Sequence, residues 1–107
     1  IHKDRNESYW AIVHDRGETT QLHSHENFKN YAVGPHISAA FWVKVPENGG
    51  DFVFQYSPNK YMVSETTMKS IEGYFLIFDS TLQHRVTENL SNDQRIVVSM
   101  NFNLVDI

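Results

Sequence analysis

Eight short runs of β-branched and aromatic residues, set apart by turn chemistry about every 8 to 12 residues, constrain this chain more than any other feature. They cover 8–14, 19–25, 36–45, 51–56, 60–64, 74–78, 83–87 and 95–104. The breaks between them are turn-rich: Asp15-Arg16-Gly17, Gly34-Pro35, Pro46-Glu47-Asn48-Gly49-Gly50, Ser57-Pro58-Asn59 and Glu72-Gly73. No stretch sustains the three- and four-residue apolar spacing of a convincing helix, and the polar segment 65–72 reads as a loop. With 107 residues the chain holds one core and one domain, 1–107. The expected fold is therefore all-β, two packed sheets or a small barrel, and eight strands point to a jelly roll.

Alternation within the runs assigns faces. In the first run Trp10, Ile12 and His14 share one side and Tyr9, Ala11 and Val13 the other. The run from residue 36 is apolar on both faces, as a central strand is. In the last run Arg95, Val97, Ser99 and Asn101 oppose Ile96, Val98, Met100 and Phe102. A polar cavity facing the Arg95 side explains that split; so does a solvent-facing side of the sheet. Trp10, Trp42 and Phe41 are expected to fill the core.

Chemistry concentrates in Gln21-Leu22-His23-Ser24-His25-Glu26, where two imidazoles at i and i+2 point to one side of a strand. An open metal site of the catalytic kind needs a third ligand from elsewhere, and His84 in the seventh run supplies a candidate. Neighbouring imidazoles on an exposed edge are the plainer alternative, although two protonated rings side by side repel. His2, His14 and His36 fit ordinary surface or core roles. For Arg95 the alternatives are a carboxylate clamp, since a guanidinium stays charged when buried, and a surface ion pair with Asp93 or Glu88. Tyr56 and Tyr61 are further pocket candidates, with simple packing the plainer role.

Composition excludes several classes. A formal net charge of −4 without clustered Lys and Arg argues against a nucleic-acid surface. The absence of cysteine removes disulfides, thiolate nucleophiles and thiolate-bound zinc. No apolar run reaches the roughly 20 residues of a membrane helix, and the polar start is no signal-peptide core. A soluble protein without a membrane or nucleic-acid partner is expected, with the cytoplasm as its compartment. Because the chain begins with Ile, a preceding segment is expected to have been removed or left unrepresented. An apolar strand set in so short a chain also leads to the expectation of a homodimer through a sheet edge.

Taken together, Trp10 and Gly17 ahead of Leu22-His23-Ser24-His25, the run from Ile37 to Pro46, Glu72-Gly73-Tyr74-Phe75-Leu76-Ile77-Phe78 leading to His84, and Arg95-Ile96-Val97-Val98-Ser99-Met100-Asn101 resemble the double-stranded β-helix oxygenases that use Fe(II) and 2-oxoglutarate. The likeness covers nearly the whole chain and is greatest to small bacterial and phage-type members with a His-x-His motif. It implies a cupin-like jelly roll with His23, His25 and His84 as iron ligands. It further implies Arg95 as anchor for the far carboxylate of 2-oxoglutarate, to which Ser99 and Asn101 can add hydrogen bonds. No side chain beyond the metal ligands is then needed as a catalytic group. The implied activity is hydroxylation of a C–H bond in a small-molecule or peptide substrate, with release of succinate and CO2.

One departure bears on the ligand set. Most of the wider superfamily offers a carboxylate where this chain has His25, and three neutral histidines leave the ion its full charge. Glu26 is the substitute ligand to weigh, but in a regular strand it points away from His23. Three-histidine sites also occur in cupin-type dioxygenases without a cosubstrate, so a cupin-like dioxygenase or isomerase is the second reading. A non-catalytic β-sandwich binding or structural module is the third.

Overall fold

A computed structural model describes residues 9–25 and 36–103. Among these the chain forms eight strands and no helix: β1 (Tyr9–His14), β2 (Thr20–His23), β3 (Ile37–Lys44), β4 (Phe52–Asn59), β5 (Met62–Met68), β6 (Phe75–Asp79), β7 (Gln83–Val86) and β8 (Arg95–Phe102). No described helix is long and apolar enough to cross a membrane. The strands pair antiparallel in two sheets of four, ordered β1-β8-β3-β6 and β2-β7-β4-β5. Only the β4–β5 hairpin stays within one sheet; every other consecutive pair of strands crosses between them. That alternation is a jelly roll, and it pairs the first described strand, β1, with the last, β8.

Strand register carries the sequence alternation into space. Trp10, Ile12 and His14 lie opposite Ser99, Val97 and Arg95, while Ser38, Ala40 and Trp42 lie opposite Asn101, Ser99 and Val97. All of these face the second sheet, so the polar side of β8 is the inner one. Between the sheets Ala40, Trp42, Phe52, Phe54, Phe78, Val86 and Val97 form the core. Full burial of the Val and Phe side chains among them contributes about 1.5 to 3 kcal/mol each. The outer face of the β8 sheet is also apolar, with Tyr9, Val13, Phe75, Ile77 and Phe102 exposed. Phe41 belongs to that face, its ring 4.7 Å from Phe75, whereas Trp42 fills the core and Trp10 is half-buried.

Three expectations about the elements are corrected. The hairpin turns at Lys60 and Tyr61, because Asn59 Oδ1 accepts the Tyr61 N–H at 2.8 Å; the expected turn at Ser57-Pro58-Asn59 is instead a ladder irregularity between Tyr56 and Asn59. Pro58 has no N–H to give the ladder, so it disturbs pairing without reversing the chain. The segment read as a loop over 65–72 continues β5 as far as Met68, where Glu65, Thr66 and Thr67 pair with Gln55, Phe54 and Val53. Its side chains are exposed on this edge strand, which removed the apolar alternation that marks a strand. Finally β2 ends at His23, so His25 lies beyond the strand.

The turn before β4 admits no side chain at its last glycine. Gly50 has φ +103°, and a Cβ there would lie 2.4 Å from the Thr87 carbonyl oxygen. Gly17, at φ +88°, has nothing within 4 Å of such a Cβ. Gly50→Ala is expected to cost about 2 to 4 kcal/mol through conformational strain and overpacking, and Gly17→Ala about 1 kcal/mol through backbone strain alone. Urea denaturation of the two variants measures the difference.

Candidate metal centre

His23 closes β2 and lies directly opposite His84 on β7. A register shift between Thr20 and His23 turns the end of β2, as a bulge does when it re-aims a side chain. His25 is held past the strand end by its own N–H, which donates to the Ser80 carbonyl at 2.8 Å. The rings meet in the interior, with centroids 4.4 Å apart for His23 and His84, 4.9 Å for His25 and His84, and 5.1 Å for His23 and His25. One ring nitrogen from each can be chosen so that all three lie within 4.8 Å of one another.

Partners on the far side of each ring set the tautomers. His23 Nδ1 faces the Gln21 carbonyl at 2.8 Å and His84 Nδ1 the Leu82 carbonyl at 3.2 Å, so both Nδ1 atoms carry the proton. His25 Nδ1 donates to Asn101 Oδ1 at 2.8 Å. Ser38 fixes that oxygen with a second hydrogen bond of 2.7 Å and is itself 2.9 Å from Ser80 Oγ. All three Nε2 atoms therefore present lone pairs inward. His23 Nε2 and His25 Nε2 stand 3.2 Å apart, close to the roughly 3.0 Å separating two nitrogens that share an ion at about 2.1 Å and a right angle. Two lone pairs at that distance repel unless a cation lies between them, and the donor set fits a divalent metal ion.

Burial favours the neutral form of His84 and His25. Desolvation, foremost, draws His84 down to about 4, aided by the charges of His23 and His25 and opposed by its hydrogen bond with Leu82. The apolar surroundings are concrete: Phe78, Phe52 and Phe54 ring centroids lie 4.9, 5.7 and 5.8 Å from His84. His25 is lowered by desolvation as well. A ligand that resists protonation is free for metal at lower pH than an ordinary imidazole.

Arg95 lines the same cavity, a space of about 60 Å³ walled also by Trp10, Ile12, Phe52, Val86 and Val97, room for more than a single water. Its side chain is 1% exposed. The guanidinium donates from Nη2 to Ser70 Oγ at 3.2 Å and stacks over Phe52 with Cζ 5.7 Å from the ring centre. Among the described residues Nε has no partner, and no carboxylate forms an ion pair with the group. Desolvation lowers its pKa to about 10, partly offset by Asp51, so the group remains a cation at neutral pH. A buried guanidinium without a counter-ion is costly, and it fits the carboxylate of an anionic ligand.

The sequence candidates thus divide. His23, His25, His84, Arg95 and Ser99 all line one cavity, and the polar side of β8 faces that cavity. Asn101 serves His25 through its oxygen instead of lining the cavity. Tyr56 and Tyr61 are exposed on the hairpin, away from the cavity. Arg95 is too deep for a surface pair with Asp93 or Glu88. His2 and Glu26, the alternative ligand, fall outside the described residues. Ser38, Ser70 and Thr20 were not anticipated; for Ser38 a signal existed, a polar residue near the start of a central strand that is apolar from Ala39 to Val43.

The family model described as "Putative 2OG-Fe(II) oxygenase" matches residues 8–101. A search of curated proteins by sequence finds no match. Among solved structures, a prolyl-4-hydroxylase of Pseudomonas putida superposes with TM-score 0.67 at 13% identity, covering 89% of this chain and 51% of that one. The cupin domain of CENP-C from Drosophila melanogaster gives 0.56 at 7% identity, covering 94% and 64%. The capsular polysaccharide assembling protein CapF of Staphylococcus aureus gives 0.54 at 12% identity, covering 92% and 24%. At these identities the likeness is one of fold, and the chain spans about half the length of the prolyl-4-hydroxylase.

Two outcomes follow from the centre. Asn101→Leu removes the acceptor that fixes His25 and is expected to weaken Co(II) binding about 10- to 100-fold, measured by titration. For the metal-free protein, His84, His25 and His14 all have lowered pKa values in the folded state. The unfolded chain therefore takes up protons first as pH falls below about 6.5, and stability present above that point is lost toward pH 4. For His84 the drop from 6.5 to about 4 corresponds to on the order of 3 kcal/mol. Denaturant midpoints at pH 7.5, 6 and 5 should decline in that order.

Proposed function

The chain belongs to the 2OG-Fe(II) oxygenase family, and on that premise we propose that it is an Fe(II)- and 2-oxoglutarate-dependent oxygenase that hydroxylates a C–H bond. The observation that carries this reading is the pairing of two features in one cavity: three converging imidazole lone pairs and a buried guanidinium that forms no ion pair among the described residues. His23, His25 and His84 would hold the ion, and Arg95 the distal carboxylate of the oxo acid. When bound, Fe(II) and 2-oxoglutarate supply the oxidising chemistry, in which O2 places one oxygen atom in succinate as CO2 leaves and the other in the substrate.

The protein's own part is positioning and exclusion of water. Arg95 presents a planar fork to a carboxylate, and its hydrogen bond to Ser70 keeps that fork oriented. The apolar walls from Ile12, Phe52, Val86 and Val97 keep water from the aliphatic middle of a five-carbon diacid. Neutral imidazoles leave the ion's charge available to an anionic chelator. The proposed substrate is a small molecule or a peptide; the structural likeness to a prolyl-4-hydroxylase supports testing prolyl peptides first.

The three-histidine set, without a carboxylate, favours one second reading, a cupin-like dioxygenase or isomerase that needs no cosubstrate. Arg95→Ala separates the two. For the first reading, 2-oxoglutarate affinity should fall by about 2 to 5 kcal/mol, roughly 30-fold to several thousand-fold, with metal affinity nearly intact and Arg95→Lys partly restoring binding. A change below about fivefold in calorimetric titration, or no succinate from wild-type protein given Fe(II) and 2-oxoglutarate, would favour the second.

A further inference from the structure

The face of the β8 sheet that turns away from the cavity is apolar across all four strands. One row runs Tyr9, Met100, Ala39 and Ile77, and the next Ala11, Val98, Phe41 and Phe75. An antiparallel sheet with one solvated face normally carries its polar residues there. In β8 the order is reversed, with Arg95 and Ser99 lining the cavity and Ile96, Val98 and Met100 on the outside.

This surface is large enough to hold a partner. Tyr9 and Ile77 are each 68% exposed and Phe75 is 61% exposed. Aromatic side chains bury about 150 to 250 Å² each when covered, so Tyr9, Phe75 and Phe102 at their present exposure offer roughly 270 to 450 Å². With Ile77, Val13 and the half-buried residues of β8 and β3, the face exceeds the roughly 300 to 600 Å² of the largest apolar patch on a typical monomer and approaches the roughly 800 Å² that each partner gives to a standard interface.

Among the described residues charge enters this face only at its two ends. Asp79 closes the row of Phe102 and Ile37, and Lys44 stands in the row of Val13 and Ile96 at the other end. Both are exposed, and they lie on neighbouring strands, β6 and β3. A second copy, turned about a twofold axis that lies in the interface perpendicular to the strands, brings the Lys44 end of one face over the Asp79 end of the other. The same contact then forms twice, as an isologous interface requires. The sheet edge expected from the sequence is less suited: β5 paired with its own copy about its middle residue would set Glu65 against the partner's Glu65.

We propose that the outer face of the β8 sheet is a homodimer interface, packed on the same face of a second copy, with Lys44 at its rim over the partner's Asp79. The interface occupies the side of the sheet opposite Arg95 and Ser99, so it covers none of the residues that line the cavity.

Sedimentation equilibrium of the chain and its variants tests this. Tyr9 and Ile77 lie on the two outer strands of the sheet, about 14 Å apart, so only a partner that covers the whole face contacts both. Wild type should dimerise with Kd at or below about 10 µM, and Tyr9→Glu and Ile77→Glu should each raise that value at least about 30-fold, because the buried charge occurs twice. Tyr9→Ser and Ile77→Thr should act in the same direction with smaller losses, which keeps the test open if a charged variant fails to fold. Lys44→Glu should weaken the dimer about tenfold at low salt, with the difference closing in roughly 1 M NaCl. Tyr61→Glu, on the hairpin of the other sheet, should stay within about twofold. A wild-type monomer at about 200 µM, or a dimer indifferent to both Tyr9→Glu and Ile77→Glu, would overturn the proposal. So would a dimer that responds at Ile77 and not at Tyr9, which is edge pairing through β6. Lys44→Glu without effect at low salt overturns the twofold arrangement.

Discussion

Phe52 is the contact on which the interior depends. Its ring centroid lies 5.7 Å from Trp42 and 6.4 Å from Phe78 on the opposite sheet, and 5.9 Å from Phe54 on its own strand. It lies 5.7 Å from His84 and takes the Arg95 guanidinium over its face at the same distance. One side chain therefore packs the two sheets together, desolvates His84 and provides a π-face for a cation that forms no ion pair among the described residues. Burial that stabilises the sandwich is the same burial that depresses His84 and leaves Arg95 in need of an anion.

Much of this was legible in the residues because a jelly roll writes a period of two into nearly every strand. The eight runs, their punctuation and the polar side of β8 follow from alternation and turn chemistry; that this side is the inner one comes from the packing of the two sheets. Two places were not legible, for physical reasons. The edge strand β5 has no buried face, so nothing in its composition separates it from a polar loop. The Pro58 region carries turn residues but is spent on a ladder irregularity, with the reversal displaced to Lys60 and Tyr61.

The site shows the same division. Histidine spacing pointed to a cluster, yet the convergence does not come from a regular strand: β2 is irregular after Thr20, and His25 is placed by Ser80, Asn101 and Ser38. Those partners come from β8, from the start of β3 and from the turn after β6, separations that no local pattern encodes. Arg95 was recognisable as a candidate from its residue type and its face, whereas its loneliness was not, because a missing counter-ion is a property of the packed interior. Ser70, which accepts a hydrogen bond from it, sits in a segment whose sequence offers no periodic signal.

The two ends of the cavity are mounted on different sheets. His23 and His84 belong to the β7 sheet, and Arg95 to the β8 sheet, with Val86 and Val97 among the residues that set the spacing between them. The span between the histidine cluster and Arg95 is therefore not fixed by any covalent path or strand ladder; it is the thickness of the hydrophobic filling. The sandwich acts as a gauge whose jaws are β-sheets and whose setting is side-chain volume. A methylene trimmed or added at Val97 would reset the gauge while leaving every polar residue in place, so under the proposed function the length of diacid accepted would be written in the core and not in the polar residues.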